Sequence, residues 1–110
     1  MKRINLAISG CMGRMGQQLI RSSKKSKNFK LVTLTENWLV NKKFNGVKPE
    51  LNSDKAFKNT DIIIDFTVPD CTIEILKLAS KLKKKVVIGT TGFNRNQENQ
   101  IKKFSKKYQF

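Results

Sequence analysis

Short unbroken apolar runs alternate along the chain with longer stretches in which apolar residues recur every three or four positions, a pattern that predicts strands alternating with helices. Ile4 to Ser9 reads as a buried strand that exits directly into a turn with glycines at 10, 13 and 16. From Arg14 onward, Met15, Leu19 and Ile20 have helical spacing, and the helix should fade in the polar run Ser22 to Asn28. Phe29 to Thr35 predicts a second strand ending at Glu36. The stretch from Asn37 to Thr60 holds Gly46, Pro49 and five asparagines and reads as irregular, with a short helix over Asp54 to Lys58 capped by Ser53.

The run Asp61 to Phe66 does not alternate, so it predicts a strand buried on both faces, at home in the centre of a parallel sheet and ended by Thr67-Val68-Pro69. Cys71 to Leu82 has helical spacing with Asp70 or Thr72 near its start. Lys81 and Lys83 to Lys85 follow at its C-terminal end, where positive charge complements the helix dipole. Val86 to Ile88 reads as another two-sided strand, closing in Gly89-Thr90-Thr91-Gly92-Phe93, and Gln97 to Lys107 as an amphipathic helix through Ile101, Phe104 and Tyr108. The expected fold class is therefore α/β, a Rossmann-like doubly wound parallel sheet with right-handed crossovers, forming one domain over residues 1–110.

Length and composition narrow this further. A 110-residue chain buries roughly two-thirds of its surface on folding, enough for one core. No apolar run approaches the ~18 residues of a membrane span, and the N-terminus does not resemble a secretory signal, so a cytoplasmic location and no membrane partner are expected. Two cysteines and no histidine predict free thiols and no metal, and remove the commonest general acid/base from any active site. The net charge of +15 would suit nucleic acid, yet 19 of the 23 basic residues are Lys and only four are Arg, the residue on which specific phosphate and base recognition draws most. A solvated Lys-rich surface is the preferred reading.

In a doubly wound sheet, ligands lie beyond the carboxyl ends of the strands. Four such ends are polar or glycine-rich: Ser9 to Gly16, Glu36, Phe66 to Pro69, and Gly89 to Gly92. The first is a GxxGxxG variant of the dinucleotide loop. In it Gly10 allows the turn, Gly13 lets backbone approach a pyrophosphate at the helix N-terminus, and Gly16 lets the helix pack close to the sheet. Glu36, twenty residues after Gly16, is placed to accept hydrogen bonds from adenosine ribose hydroxyls, which favours NADH. Arg14, Lys42 and Lys43 can offset its charge, so the expected cofactor is NADH or NADPH. Cys11 and Met12 line the loop, and nothing beyond the helix terminus suggests a low-pKa thiolate.

Taken together, Ile8 to Gly16 (ISGCMGRMG), Asp65 to Pro69 (DFTVP) and Val87 to Phe93 (VIGTTGF) strongly resemble the 4-hydroxy-tetrahydrodipicolinate reductase (dihydrodipicolinate reductase) family over nearly the whole chain. That resemblance implies that Gly10, Cys11, Met12, Gly13, Arg14 and Met15 bind the pyrophosphate, that Glu36 holds the ribose, and that Phe66, Thr67, Gly89, Thr90 and Thr91 border the nicotinamide. It also implies a role in lysine (diaminopimelate) biosynthesis, in which a homotetramer passes hydride from nicotinamide to a cyclic imine. Asn37 stands where relatives that use NADPH readily carry a basic residue, and Val68 where some relatives are polar.

Family members run well over twice this length. Their second half supplies the substrate-binding and tetramer-forming parts, so the expectation is a domain truncated before its last strand and inactive alone, with no catalytic residue assigned and an apolar edge beside Val86 to Ile88. Only Tyr108-Gln109-Phe110 of the next strand would remain. Two rival readings are a stand-alone dinucleotide-sensing module acting through a partner, and a basic nucleic-acid-binding domain.

Overall fold

A computed structural model describes residues 3–108. Four strands, β1 (Ile4–Ser9), β2 (Phe29–Thr35), β3 (Ile62–Asp65) and β4 (Lys85–Ile88), form one sheet in the order β2-β1-β3-β4. Every pairing is parallel, so all four carboxyl ends open on the same side of the molecule. The helices are α1 (Arg14–Lys24), α2 (Asp54–Phe57), α3 (Pro69–Leu82) and α4 (Arg95–Tyr108).

Because side chains alternate across a strand, β1 and β3 feed two separate cores. Ala7, Ile63 and Val86 pack with Phe57, Ile75, Leu76 and Ala79 under α2 and α3, with Ile101 and Phe104 of α4 alongside. Leu6, Ile8 and Leu34 pack on the opposite face with Ile20 of α1. Helices thus cover both faces, as the alternation of elements requires. Coverage is unequal: α1 lies chiefly over β1 and β2, and reaches β3 at its near edge through Ile64. Ile62 and Ile64 are consequently half-buried, and Val87 is 54% exposed, so neither β3 nor β4 is the strand buried on both faces that its apolar run suggests.

Element ends follow local chemistry. The α4 helix starts at Arg95 rather than Gln97, because Asn94 and Gln97 cap reciprocally: each side-chain oxygen accepts the other's N–H, at 2.8 and 2.9 Å. Pro69 opens α3 two residues earlier than Cys71, in the first-turn position where its missing N–H costs nothing. That helix ends at Lys83, which adopts the left-handed conformation (φ 57°) while Lys84 N–H reaches back to Ala79 O. Ser53 accepts from Ala56 N–H and caps α2 as expected.

The stretch from 37 to 60 is more ordered than its composition suggests. Asn45 and Gly46, both at positive φ, form a two-residue turn closed by reciprocal Phe44 and Val47 backbone bonds. Glu50 then lies parallel beside the end of β2, exchanging bonds with Leu34 and Glu36. The segment therefore braces the outer side of β2. The expected strand remnant at 108–110 lies outside the described residues, except that Tyr108 is the last residue of α4. No helix among the described residues is long and apolar enough to cross a membrane.

Candidate functional site

The turn after β1 is built so that backbone meets backbone. Gly10 sits at φ 82°, and a Cβ there would lie 2.2 Å from Phe66 O and 3.2 Å from Thr67 Cγ2. Glycine is thus demanded twice, by conformation and by contact with the β3 exit. Gly16 is equally constrained: its Cβ would lie 2.3 Å from Gly10 O and 2.7 Å from Cys11 Cα. Its small size therefore seats α1 on the Gly10-Cys11 turn rather than on the sheet itself. Gly13 differs. At φ −73° it needs no special conformation, and an added Cβ would meet only Gly10 O at 3.4 Å. Nothing in the protein's own packing explains a glycine there.

The loop amides are mostly used internally. Gly10 and Cys11 N–H donate to Thr35 O, Met12 N–H to Glu36 Oε2 at 3.0 Å, and Gly13 N–H to Gly10 O. Cys11 O accepts from Gln17 Nε2. What remains is the first turn of α1: the N–H groups of Arg14, Met15 and Gly16 have no acceptor among the described residues. No side chain caps this helix and its first turn carries no acidic residue. An anion placed over Gly13 would meet three unpaired donors and the positive end of the helix dipole.

Glu36 is 95% buried, with Oε2 on the Met12 amide and Oε1 on its neighbour Asn37 N–H. Its carboxylate so ties the glycine turn to the end of β2. Two backbone bonds leave it further lone pairs for hydroxyl donors. Asn37 Oδ1 accepts from Cys71 Sγ, which in turn accepts from Asn52, so the Asn37 side chain is directed onto α3. Ser9, Thr35 and Asn52 continue this polar chain beneath the strand ends.

On the other side, Phe66 covers Gly89: a Cβ at Gly89 would fall 2.1 Å from the Phe66 ring. Thr67 N–H donates to Thr90 Oγ1 at 2.9 Å, joining the β3 and β4 exits. Beneath both lies Asp65, fully buried, which accepts from the hydroxyls of Thr67 (2.6 Å), Thr90 (3.0 Å) and Thr72. Sequence reasoning did not single out Asp65 as an organiser, because its three partners are spread over 23 residues and only folding assembles them. Arg14, Met15 and Thr91 are exposed. Cys11 is fully buried, with its N–H on Thr35 O and its carbonyl accepting from Gln17, so it supports the loop from beneath.

Burial, with Glu36's charge second, pushes the Cys11 thiol up to about 11, and burial likewise raises Cys71. At pH 8 the Cys11 thiolate fraction is then on the order of one in a thousand. Raised thiol pKa values also mean that this contribution to stability is complete below about pH 9 and is lost as pH climbs toward 11. Iodoacetamide at pH 8 should leave both thiols of the native chain unlabelled over a period that fully labels the urea-unfolded chain. Intact mass reads the result; rapid native labelling at Cys11 would contradict the burial described.

The parallel sheet with helices on both faces, and an uncapped helix start beside a buried strand-end carboxylate, define a Rossmann-like α/β domain. Comparison with known proteins carries this one level further. Residues 4–110 match the family described as dihydrodipicolinate reductase, N-terminus, and the chain belongs to that family. It is 69% identical over 106 residues to 4-hydroxy-tetrahydrodipicolinate reductase of Pelagibacter ubique (strain HTCC1062), covering 96% of this chain and 41% of that protein. The same-named protein of Bdellovibrio bacteriovorus is 34% identical, with 97% and 42% covered. The chain thus spans about two-fifths of the length of these relatives. Among solved structures, dipicolinate-bound dihydrodipicolinate reductase from Paenisporosarcina sp. TG-14 superposes with a TM-score of 0.75 at 24% identity, covering 99% of this chain and 45% of that one. A myo-inositol 2-dehydrogenase from Lactobacillus plantarum reaches 0.78 at 20% identity, covering 97% of this chain and 34% of that one; at such identities these two show the fold.

Proposed function

We propose that residues 1–110 form the dinucleotide-binding domain of a dihydrodipicolinate reductase and hold NADH or NADPH along the carboxyl ends of the four strands. The observation that carries this is the start of α1, where three unpaired amides face the one loop glycine that packing does not require. These residues fit a pyrophosphate. Arg14 and Met15 contribute backbone donors, while Gly10, Cys11, Met12 and Gly13 shape the approach. Glu36 accepts from the adenosine ribose hydroxyls. Phe66, Thr67, Gly89, Thr90 and Thr91 border the nicotinamide, whose chemistry is hydride transfer.

A buried carboxylate at Glu36 disfavours a 2′-phosphate. Two of the groups that could reverse that are turned elsewhere, Asn37 onto Cys71 and Lys42 Nζ to 5.3 Å from the centre of the Phe44 ring, while Arg14 and Lys43 stand exposed in solvent. NADH is therefore the tighter ligand in this reading. Reduction of a cyclic imine in lysine biosynthesis, substrate binding by a further domain, a homotetramer and a cytoplasmic location are proposed for the whole enzyme. Nucleic acid is not a proposed partner.

Calorimetric titration of the 110-residue chain with NADH and NADPH at physiological salt, after circular dichroism establishes folding, tests this. Saturable binding is expected for NADH, with NADPH weaker. A folded chain that binds neither would end the proposal. Steeply salt-dependent binding of DNA or RNA would then favour the nucleic-acid reading.

A further inference from the structure

Asp65 carries an inference that goes beyond which residues border the site and concerns the polarity of the hydrogen bonds they can offer. Its carboxylate is fully buried at the end of β3, and as a carboxylate it can only accept. Three threonine hydroxyls converge on it: Thr67 on Oδ1, and Thr72 and Thr90 on Oδ2. Each hydroxyl has one proton to give. Thr67 Oγ1 also lies 3.3 Å from Val68 O and 3.4 Å from Thr72 Oγ1, but its 2.6 Å contact to the carboxylate is much the shortest, so its proton, like that of Thr90, is directed inward, and Thr90 Oγ1 additionally accepts the Thr67 N–H. Toward a ligand, both oxygens retain lone pairs and nothing to donate.

We propose that Asp65 is a positioning residue that makes the threonine rim of β3 and β4 a hydrogen-bond acceptor, so that this end of the site selects a ligand group bearing N–H donors. The proposal rests on the dinucleotide reading, in which the group concerned is the carboxamide of the nicotinamide, recognised through its NH2 by Thr67 Oγ1. Thr67 is half-buried at the exit of β3, with its Cγ2 methyl 3.2 Å from where a Gly10 Cβ would stand, so the residue is not wholly sequestered beneath the glycine turn. An unsatisfied acceptor in such a position penalises a ligand that cannot donate.

Two analogues separate the possibilities. Reduced 3-acetylpyridine adenine dinucleotide keeps the carbonyl and replaces NH2 by methyl; reduced thionicotinamide adenine dinucleotide keeps NH2. Calorimetric titration of the 110-residue chain should show NADH and the thio analogue binding within about threefold of each other and the acetyl analogue at least about tenfold more weakly, the worth of one hydrogen bond. In Asp65→Asn the new side-chain amide donates to a threonine oxygen and frees a hydroxyl proton, so the tenfold preference should collapse to threefold or less. Should Asp65→Asn fail to fold, Thr67→Val carries the test: it should lose the preference, and Thr67→Ser should keep it. Equal binding of NADH and the acetyl analogue by the unsubstituted chain would overturn the inference while leaving the dinucleotide reading intact, as would a preference that survives both Asp65→Asn and Thr67→Val. A folded chain that binds none of the three refutes the dinucleotide reading and the inference with it.

Discussion

Gly10→Ala should cost the domain about 3 kcal/mol or more, a large share of the 5–15 kcal/mol that holds a domain of this size folded. Two effects add. The left-handed φ of 82° is worth about 1–2 kcal/mol to any residue with a Cβ, and that Cβ would stand 2.2 Å from Phe66 O. Backbone cannot rotate out of the way as a side-chain tip can, so the turn and the β3 exit must separate, adding an overpacking cost of about 1–3 kcal/mol. Gly46 provides the internal control. It has nearly the same φ, 80°, with nothing within 4 Å of its would-be Cβ, so Gly46→Ala should cost only about 1–2 kcal/mol. Urea unfolding of the two variants reads the difference directly. Equal losses would mean that conformation alone, and not the contact between strand exits, demands glycine at position 10.

Gly13→Glu should do the reverse, sparing the fold and removing the ligand. The added side chain has room, and an acidic residue at the start of α1 suits the helix dipole, so stability should change by no more than about 0.5–1 kcal/mol. The same carboxylate would occupy the space over the Arg14, Met15 and Gly16 amides and repel a pyrophosphate. Like charges so placed cost several kcal/mol, which predicts at least a hundredfold loss of NADH affinity. Circular dichroism and calorimetry on the one variant separate the two effects. A folded Gly13→Glu chain that still binds NADH at its original affinity would move the anion elsewhere.

The contrast between these two glycines marks how far the sequence alone could be read. Spacing is enough to find the loop, the helix behind it and the carboxylate at the end of β2, because each depends on a local period and a chain reversal. It does not tell which glycine serves the protein and which serves a ligand. That distinction depends on Phe66, 56 residues from Gly10, arriving against the turn. Asp65 was hidden for the same reason: a lone aspartate in an apolar run looks like a strand terminus until Thr67, Thr72 and Thr90 gather around it.

Exposure at Val87 was equally illegible. An apolar triplet cannot report that α1 stops short of β4, since coverage is a property of the layer above and not of the strand. The Asn45-Gly46 turn is a different kind of miss, because its signal is local and strong: an Asn-Gly pair between Phe44 and Val47 closes a two-residue turn. Reading 37 to 60 as irregular overlooked it. It also overlooked the return of Glu50 to the side of β2, which sequence spacing does not reveal.

If one dinucleotide lies across all four strand ends, backbone amide chemical shifts during an NADH titration report it residue by residue. Saturable shifts are expected, clustered at residues 10–16, 36–37, 66–67 and 89–91, with the amides of Arg14, Met15 and Gly16 moving most as they gain an acceptor. Shifts confined to the Lys-rich helix surfaces, or none at these strand ends at saturating NADH, would contradict it.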